Sequence, residues 1–367
     1  KWAQDYDNNV LHITAGTGFT VGWYRIVSVD ANDDAVLDRS AGTAGSSSGT
    51  GAVGGAFEFG GTLDDNFGEA FVAGNTCFVG SGNHSTLGEA VAWSINGAIT
   101  APIFFLGYNT TRGDEPTGTN RPLLNSGASN FAISGTWWIC RNLRVTGTGS
   151  YAFGVTGSRC LLQNMVASNT GVSGGKHGFS TSYTLLVGCE ASTNDATAGA
   201  CAFTADNGTM FQSCYAHDSP TGFEHSTGSI CTIVSCIVDT CTTGISLTGA
   251  SSVTYCLVAN NTVYNCTTGM TLYPDLSVTS NNIVSGCITG IVVNGVAAAN
   301  PGVAILNSCL NNTTDISYAG NIVGNIFGDP GLNSPATGDF RIGSSDTNVY
   351  EQGVDVGYFT SAITYQE

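Results

Sequence analysis

Charge is scarce in this chain. Asp, Glu, Lys and Arg make up 10% of its 367 residues, against about 25% in an ordinary soluble domain. What charge there is has mostly one sign: 27 acidic residues against 10 basic ones, a formal net charge of −17. A chain this acidic repels phosphate backbones, so nucleic acid is not an expected partner. Lysine is nearly missing, with only Lys1 and Lys176. There is no basic run to meet an anionic membrane and no apolar run of 18 residues to cross one, so no membrane insertion is expected. No Cys-x-x-Cys pair occurs among the 13 cysteines, which argues against a zinc ribbon or a thioredoxin-type motif. The chain begins at Lys1, as a processed or truncated product would, so the lack of a leader says little about compartment.

What is abundant is small. Glycine accounts for 50 residues, and Ser, Thr and Asn fill the polar positions. All four are poor helix formers, and with 42% hydrophobic residues they suit stacked short strands with many turns. From about residue 137 to 310 one unit recurs with a period of about 20 to 27 residues, as in SSVTYCLVANNTVYNCTTGMTLYP at 251–274 and LSVTSNNIVSGCITGIVVNG at 276–295. An Asn-or-Cys ladder aligns Asn142, Asn164, Cys189, Cys214, Cys236, Asn261, Asn282 and Cys309. An apolar column aligns Phe153, Phe179, Phe203, Phe223, Ile245, Met270 and Ile291. Gly222, Gly244, Gly269 and Gly290 precede that column and are expected to turn the backbone with positive φ. Short strands repeating at this period make a solenoid. The fold expected is all-β: a right-handed parallel β-helix of three-strand coils, with stacked positions about 4.8 Å apart. The cysteines fall into columns too (Cys241, Cys266 and Cys287; Cys231 and Cys256) and read as small buried residues.

The two ends break the repeat. Residues 1–60 read as a small antiparallel β module, with SAGTAGSSSGTGAVGG at 40–55 as a loop or linker. Residues 61–326 are assigned to the parallel β-helix and 327–367 to a C-terminal capping segment.

The coil pattern N-N-I-V-x-x-x-x-x-G-I at 281–291 and its repeats resemble the right-handed parallel β-helix superfamily that includes pectate lyases and phage tailspikes. GDPGLNSPATGDFRI at 328–342 looks like the closing segment of many secreted β-helix proteins. GFTVGWYRIVSVDANDDAVLDRSAGTAG, with VGGAF and GYNTTRGD after it, is similar to the front part of β-helix proteins of environmental tailed phages. That resemblance implies an extracellular or virion-surface location, other virion or fibre subunits or a second copy as partners, and cell-surface glycans as ligands.

Ionisable residues concentrate in the middle coils. A polysaccharide lyase of this fold would need a base, and Lys176 is the one internal lysine. Asp195, Asp206 and Asp218 could hold calcium through hard oxygen ligands, and no other cofactor is expected. Glu224 and Asp239 could instead form the acid and base of a hydrolase. Against catalysis, the outward position beside the Phe column runs Gly154, Ser180, Thr204, Glu224, Ser246, Thr271, Val292, where Glu224 stands alone. His225 falls on the inward phase and reads as a satisfied core histidine, and His217 shares a column with Asp239. The sequence therefore favours a non-catalytic virion fibre, spike or decoration protein that binds glycans. A polysaccharide lyase or glycosidase, and a self-stacking extracellular fibre subunit, are the alternatives.

Overall fold

The computed structural model describes residues 10–30, 34–53, 72–85, 91–110, 112–225, 227–228, 230–248, 256–272, 277–293, 303–306, 308–317 and 321–343. Four strands near the N-terminus, Val10–Phe19, Gly22–Val29, Ala35–Leu37 and Gly42–Val53, form an antiparallel sheet in the order third, second, first, fourth. It closes over its own small core of Leu11, Ile13, Tyr24, Ile26 and Val29. The Gly/Ser-rich run at 40–55 is not a linker: most of it is the fourth strand, paired with the first through three register shifts. Small residues are needed there because the partner crowds in. A Cβ at Gly49 would lie 2.9 Å from the Phe19 ring, and one at Gly51 would lie 2.5 Å from the His12 carbonyl.

From Thr76 the chain winds as a right-handed parallel β-helix with almost no helical structure. Each coil lays one strand of two to five residues in each of three sheets. Sheet 1 starts at Thr76–Val79 and has eleven strands, sheet 2 starts at Asn83–Ser85 and has eleven, and sheet 3 starts at Val91–Trp93 and has ten. The Phe column is in register on sheet 3, running from Val91 through Phe131, Phe153, Phe179, Phe203, Phe223, Ile245, Met270 and Ile291 to Ile316. Its rings stack directly: Phe203 and Phe223 lie 4.7 Å apart and nearly parallel. Such contacts add to the burial energy of the aromatic groups.

The ladder is offset from the expected one. Between sheets 1 and 2 seven successive coils turn through a residue with positive φ: Asn142, Asn164, Gly188, Ser213, Ser235, Asn260 and Asn281. The inward, stacked position is the next residue, which the strand register aligns as Leu143, Met165, Cys189, Cys214, Cys236, Asn261, Asn282 and Ser308. Asn142 and Asn164 therefore belong to the turn and not to the ladder, and Cys309 lies one residue past it. The polar ladder runs through the later coils. Cys236 N–H donates to Asn261 Oδ1 at 2.8 Å, Asn261 Nδ2 donates to Asn282 Oδ1 at 3.0 Å and to the Ile233 carbonyl, and Ser308 N–H donates to Asn325 Oδ1 at 2.7 Å. These amides satisfy buried backbone groups that the turn leaves open.

The glycines before the apolar column also differ from expectation. Gly222, Gly244, Gly269 and Gly290 are strand residues without positive φ. They are small because two successive residues face the core here. A Cβ at Gly222 would lie 2.7 Å from Val238 Cγ1 of the next coil and 2.6 Å from the Gly244 carbonyl. All thirteen cysteines are free thiols, twelve of them buried. Beyond Ile326–Phe327, the last strand of sheet 2, an antiparallel hairpin of Leu332–Ser334 and Asp339–Ile342 brings Phe340 edge-on to Tyr264. Residues 344–367 of the expected capping segment lie outside the described residues.

Candidate functional site

Two consecutive inward residues per strand leave two outward positions on sheet 3. One column is Tyr151, His177, Cys201, Thr221, Thr243, Thr268, Thr289 and Thr314. The other is the one read from the sequence, with Ser180, Thr204, Glu224 and Ser246 at its centre. The two meet where Cys201 Sγ donates to Glu224 Oε2 at 2.7 Å. Cys201 is fully buried although it faces outward, and its thiol also lies 3.3 Å from the Gly199 carbonyl. Burial, reinforced by the Glu224 carboxylate, pushes this thiol far up, so it is a hydrogen-bond donor and not a nucleophile. Burial likewise holds His177 below its ordinary value, against the pull of Glu224 and Asp195. Its Nδ1 is enclosed without a hydrogen-bond partner.

Lys176 lies at the corner between sheets 2 and 3, immediately before the strand His177–Thr181. The loop before it packs tightly at Gly171, where a Cβ would lie 3.1 Å from Lys176 Cγ. Asp195 is buried beneath this corner and ties two loops together, accepting from Lys176 N–H at 2.9 Å and from Thr197 N–H at 2.8 Å. Burial would raise its carboxyl, but the hydrogen bonds from Thr197, Lys176 and Gly175 outweigh it and hold the group below the usual range.

Asp218 shares with Asp195 an open trough of about 410 Å³, lined also by Asn194, Pro220 and Thr242. Asp206 does not join them. It follows the strand Cys201–Ala205 at the opposite edge of sheet 3, where Ser182 Oγ and Thr227 Oγ1 donate to it at 3.0 and 2.6 Å. The carboxylates nominated for calcium are thus split between two corners. Among the described residues no three His, Cys, Asp or Glu side chains come together as a metal-ligand set.

Glu224 and Asp239 do not form a pair either. Glu224 is on sheet 3 and Asp239 ends a sheet 2 strand, so they sit on different sheets with a corner between them. Asp239 belongs to a second group, beside its register partner His217. His217 Nε2 meets Glu190 Oε1 at 3.3 Å, its Nδ1 meets Asp218 Oδ2 at 2.8 Å, and Tyr215 stacks on its ring at 4.7 Å. The Glu190 hydrogen bond raises His217 against the opposing effect of burial, with Asp218 adding to the rise, and the same hydrogen bond lowers Glu190. Burial raises Asp239 despite hydrogen bonds from Thr240, and burial with the surrounding carboxylates pushes Tyr215 up to about 12. Glu190 and Tyr215 carried no weight in the sequence, because only the strand register shows that they are neighbours in one column.

His225 is buried and inward beside Leu247, as expected, but only its Nδ1 is bonded, to the Ala205 carbonyl at 3.0 Å. Its Nε2 has no partner. The Arg112-Gly113-Asp114 tripeptide serves its own loop: Asp114 accepts from Asn109 and Thr110 N–H groups, and Arg112 lies 5.2 Å over the Phe78 ring.

A family model described as a right handed beta helix region matches residues 129–273. No curated protein sequence matches the chain. Among solved structures, the pectate lyase Pel9A aligns with a TM-score of 0.56 at 15% identity, over 76% of this chain and 83% of that one. An alginate lyase from Paenibacillus sp. str. FPU-7 aligns at 0.47 and 11% identity, over 71% and 95% of the two chains. A rhamnogalacturonan lyase aligns at 0.45 and 14%, over 68% and 84%. At these identities the likeness to Pel9A shows a shared fold.

Proposed function

We propose that this protein is a rigid, non-catalytic attachment rod, carried on a virion or comparable particle, that holds glycans on the outer faces of its coils. One observation carries the reading: Asp195, Asp206, Glu190, Asp218, Glu224 and His217 in the central coils are engaged with one another, with neighbouring side chains or with the backbone. Asp195 clamps two loops, Asp206 takes two hydroxyl donors, His217 bridges two carboxylates, and Glu224 accepts a buried thiol. Such a network rigidifies neighbouring coils. The similarity of residues 10–125 to phage β-helix proteins and the low-charge Ser/Thr/Asn surface add support.

A second reading, a polysaccharide lyase with Lys176 as base, is favoured by the grouping of Lys176, His177 and Glu224 at one edge of sheet 3, where Glu224 and Lys176 both act electrostatically on His177. The fold shared with Pel9A, a pectate lyase, lends it weight. One experiment separates the two. The full chain is incubated with pectate, alginate and neutral polysaccharides, and both retention on immobilised polymer and polymer length are followed. Attachment predicts retention with unchanged length. Shortening that disappears in Lys176→Ala or Glu224→Gln would replace it with the lyase.

A further inference from the structure

At the corner between sheets 3 and 1, three successive coils place bulky residues where the backbone is left-handed: Trp137 with φ 59°, Arg159 with φ 62° and Tyr183 with φ 45°. Among the described residues the turn between sheets 1 and 2 fills its left-handed positions with Asn, Ser or Gly, the residues that tolerate them. Three disfavoured side chains stacked in register are the kind of local strain that clusters at ligand sites. The coils are locked together at this corner: Trp137 N–H donates to Ser158 O, Arg159 N–H to Tyr183 O, and Tyr183 N–H to Asn207 O.

The three side chains border an open trough of about 300 Å³, at the lower end of the size of ligand sites. Leu185 and Met210, register neighbours on the outer face of sheet 1, complete its apolar lining. The Arg159 guanidinium sits 5.4 Å over the Trp137 ring. Tyr183 is 54% exposed, and its ring lies over Gly208, where a Cβ would come within 2.6 Å of it. Among the described residues no carboxylate pairs with Arg159, although the chain as a whole is strongly acidic. Flat aromatic faces suit the apolar face of a pyranose ring, and an unpaired guanidinium suits a carboxylate or sulfate on it.

We infer that this corner is a glycan subsite for an anionic sugar, with Tyr183 as the stacking platform and Arg159, seated over the Trp137 ring, as the anion contact. The inference rests on the attachment reading for its ligand class and adds the site and the charge of the sugar. The full chain is titrated calorimetrically with trigalacturonate (carboxylate only), a κ-carrageenan tetrasaccharide (sulfate only) and maltotriose (neutral). At least one anionic probe should bind about tenfold or more tightly than maltotriose, and more weakly as salt rises. Arg159→Ala should remove that preference. Tyr183→Asn should weaken binding about tenfold while raising the melting temperature, because Asn suits the left-handed backbone. A residue serving only the fold would lose stability instead.

Failure of every probe to bind, or equal affinity for maltotriose, overturns the subsite. Unchanged binding in both variants also overturns it but leaves the attachment reading intact. Shortened probes would overturn the attachment reading, and the subsite would still stand or fall on the variant affinities.

Discussion

Asn261 shows what a single ladder amide contributes. It accepts from Cys236 N–H and donates to both Ile233 O and Asn282 Oδ1, all in the interior. Asn261→Ala takes the acceptor from the buried Cys236 N–H and the amide donor from the Ile233 carbonyl, while Asn282 Oδ1 keeps the Asn261 N–H; the cost is about 1–3 kcal/mol, to be read as a lower denaturant midpoint at unchanged slope. The histidines make a second test at this scale, because they shift in opposite directions. His217 is raised by Glu190, so its stabilisation is complete below the unfolded value near 6.5 and is lost as pH climbs through the higher folded value. His177 and His225 are lowered by burial, so their neutral forms favour folding above 6.5 and the benefit is lost as pH falls. Titration by NMR should place His217 above 6.5 and the other two below it. The stability difference between wild type and His217→Gln should be larger near about pH 6 than near about pH 9; a difference that grows with pH would contradict the Glu190 contact.

The strand columns carry the packing logic. Where the sheet 2 residue of the next coil is Ala167 or Ala216, the sheet 3 strand has room for Ala152 or Ala202; where it is Val238, Val263 or Val284, the strand has Gly222, Gly244 or Gly269; Gly178 faces Ala191 and departs from this pairing, with the Ala202 carbonyl 2.6 Å from where its Cβ would lie. Gly222→Ala should therefore destabilise by about 1–3 kcal/mol through overpacking. Val238→Ala in the same chain should recover part of the loss, a coupling that thermal melts of the double-mutant cycle would reveal. The Phe column was legible in the sequence because a large apolar residue recurs at that position from coil to coil. The ladder was legible only to within one residue. Asn suits both the left-handed turn and the amide stack, and in Asn260-Asn261 and Asn281-Asn282 it fills both. The first two coils have Asn only in the turn, followed by Leu143 and Met165, and that set the register wrong. Gly222 and its partners were read as turn glycines because a sequence does not distinguish positive φ from close approach. The Glu190–His217 contact spans 27 residues, including the 194–200 loop, so no fixed spacing announced it. The Gly/Ser run at 40–55 looked like a linker because its strand pairing depends on small residues rather than β-branched ones.

Over the whole molecule, each coil pairs only with its neighbours, so stability sums along the rod and the faces repeat from coil to coil. That geometry suits a stiff element that displays a long surface. The most direct test of the attachment account is electron microscopy of the native source material, with gold-labelled antibody to mark this chain. The account predicts label on rod-shaped density at the particle surface. Label confined to free, soluble protein that shortens a polysaccharide in the same preparation would contradict it.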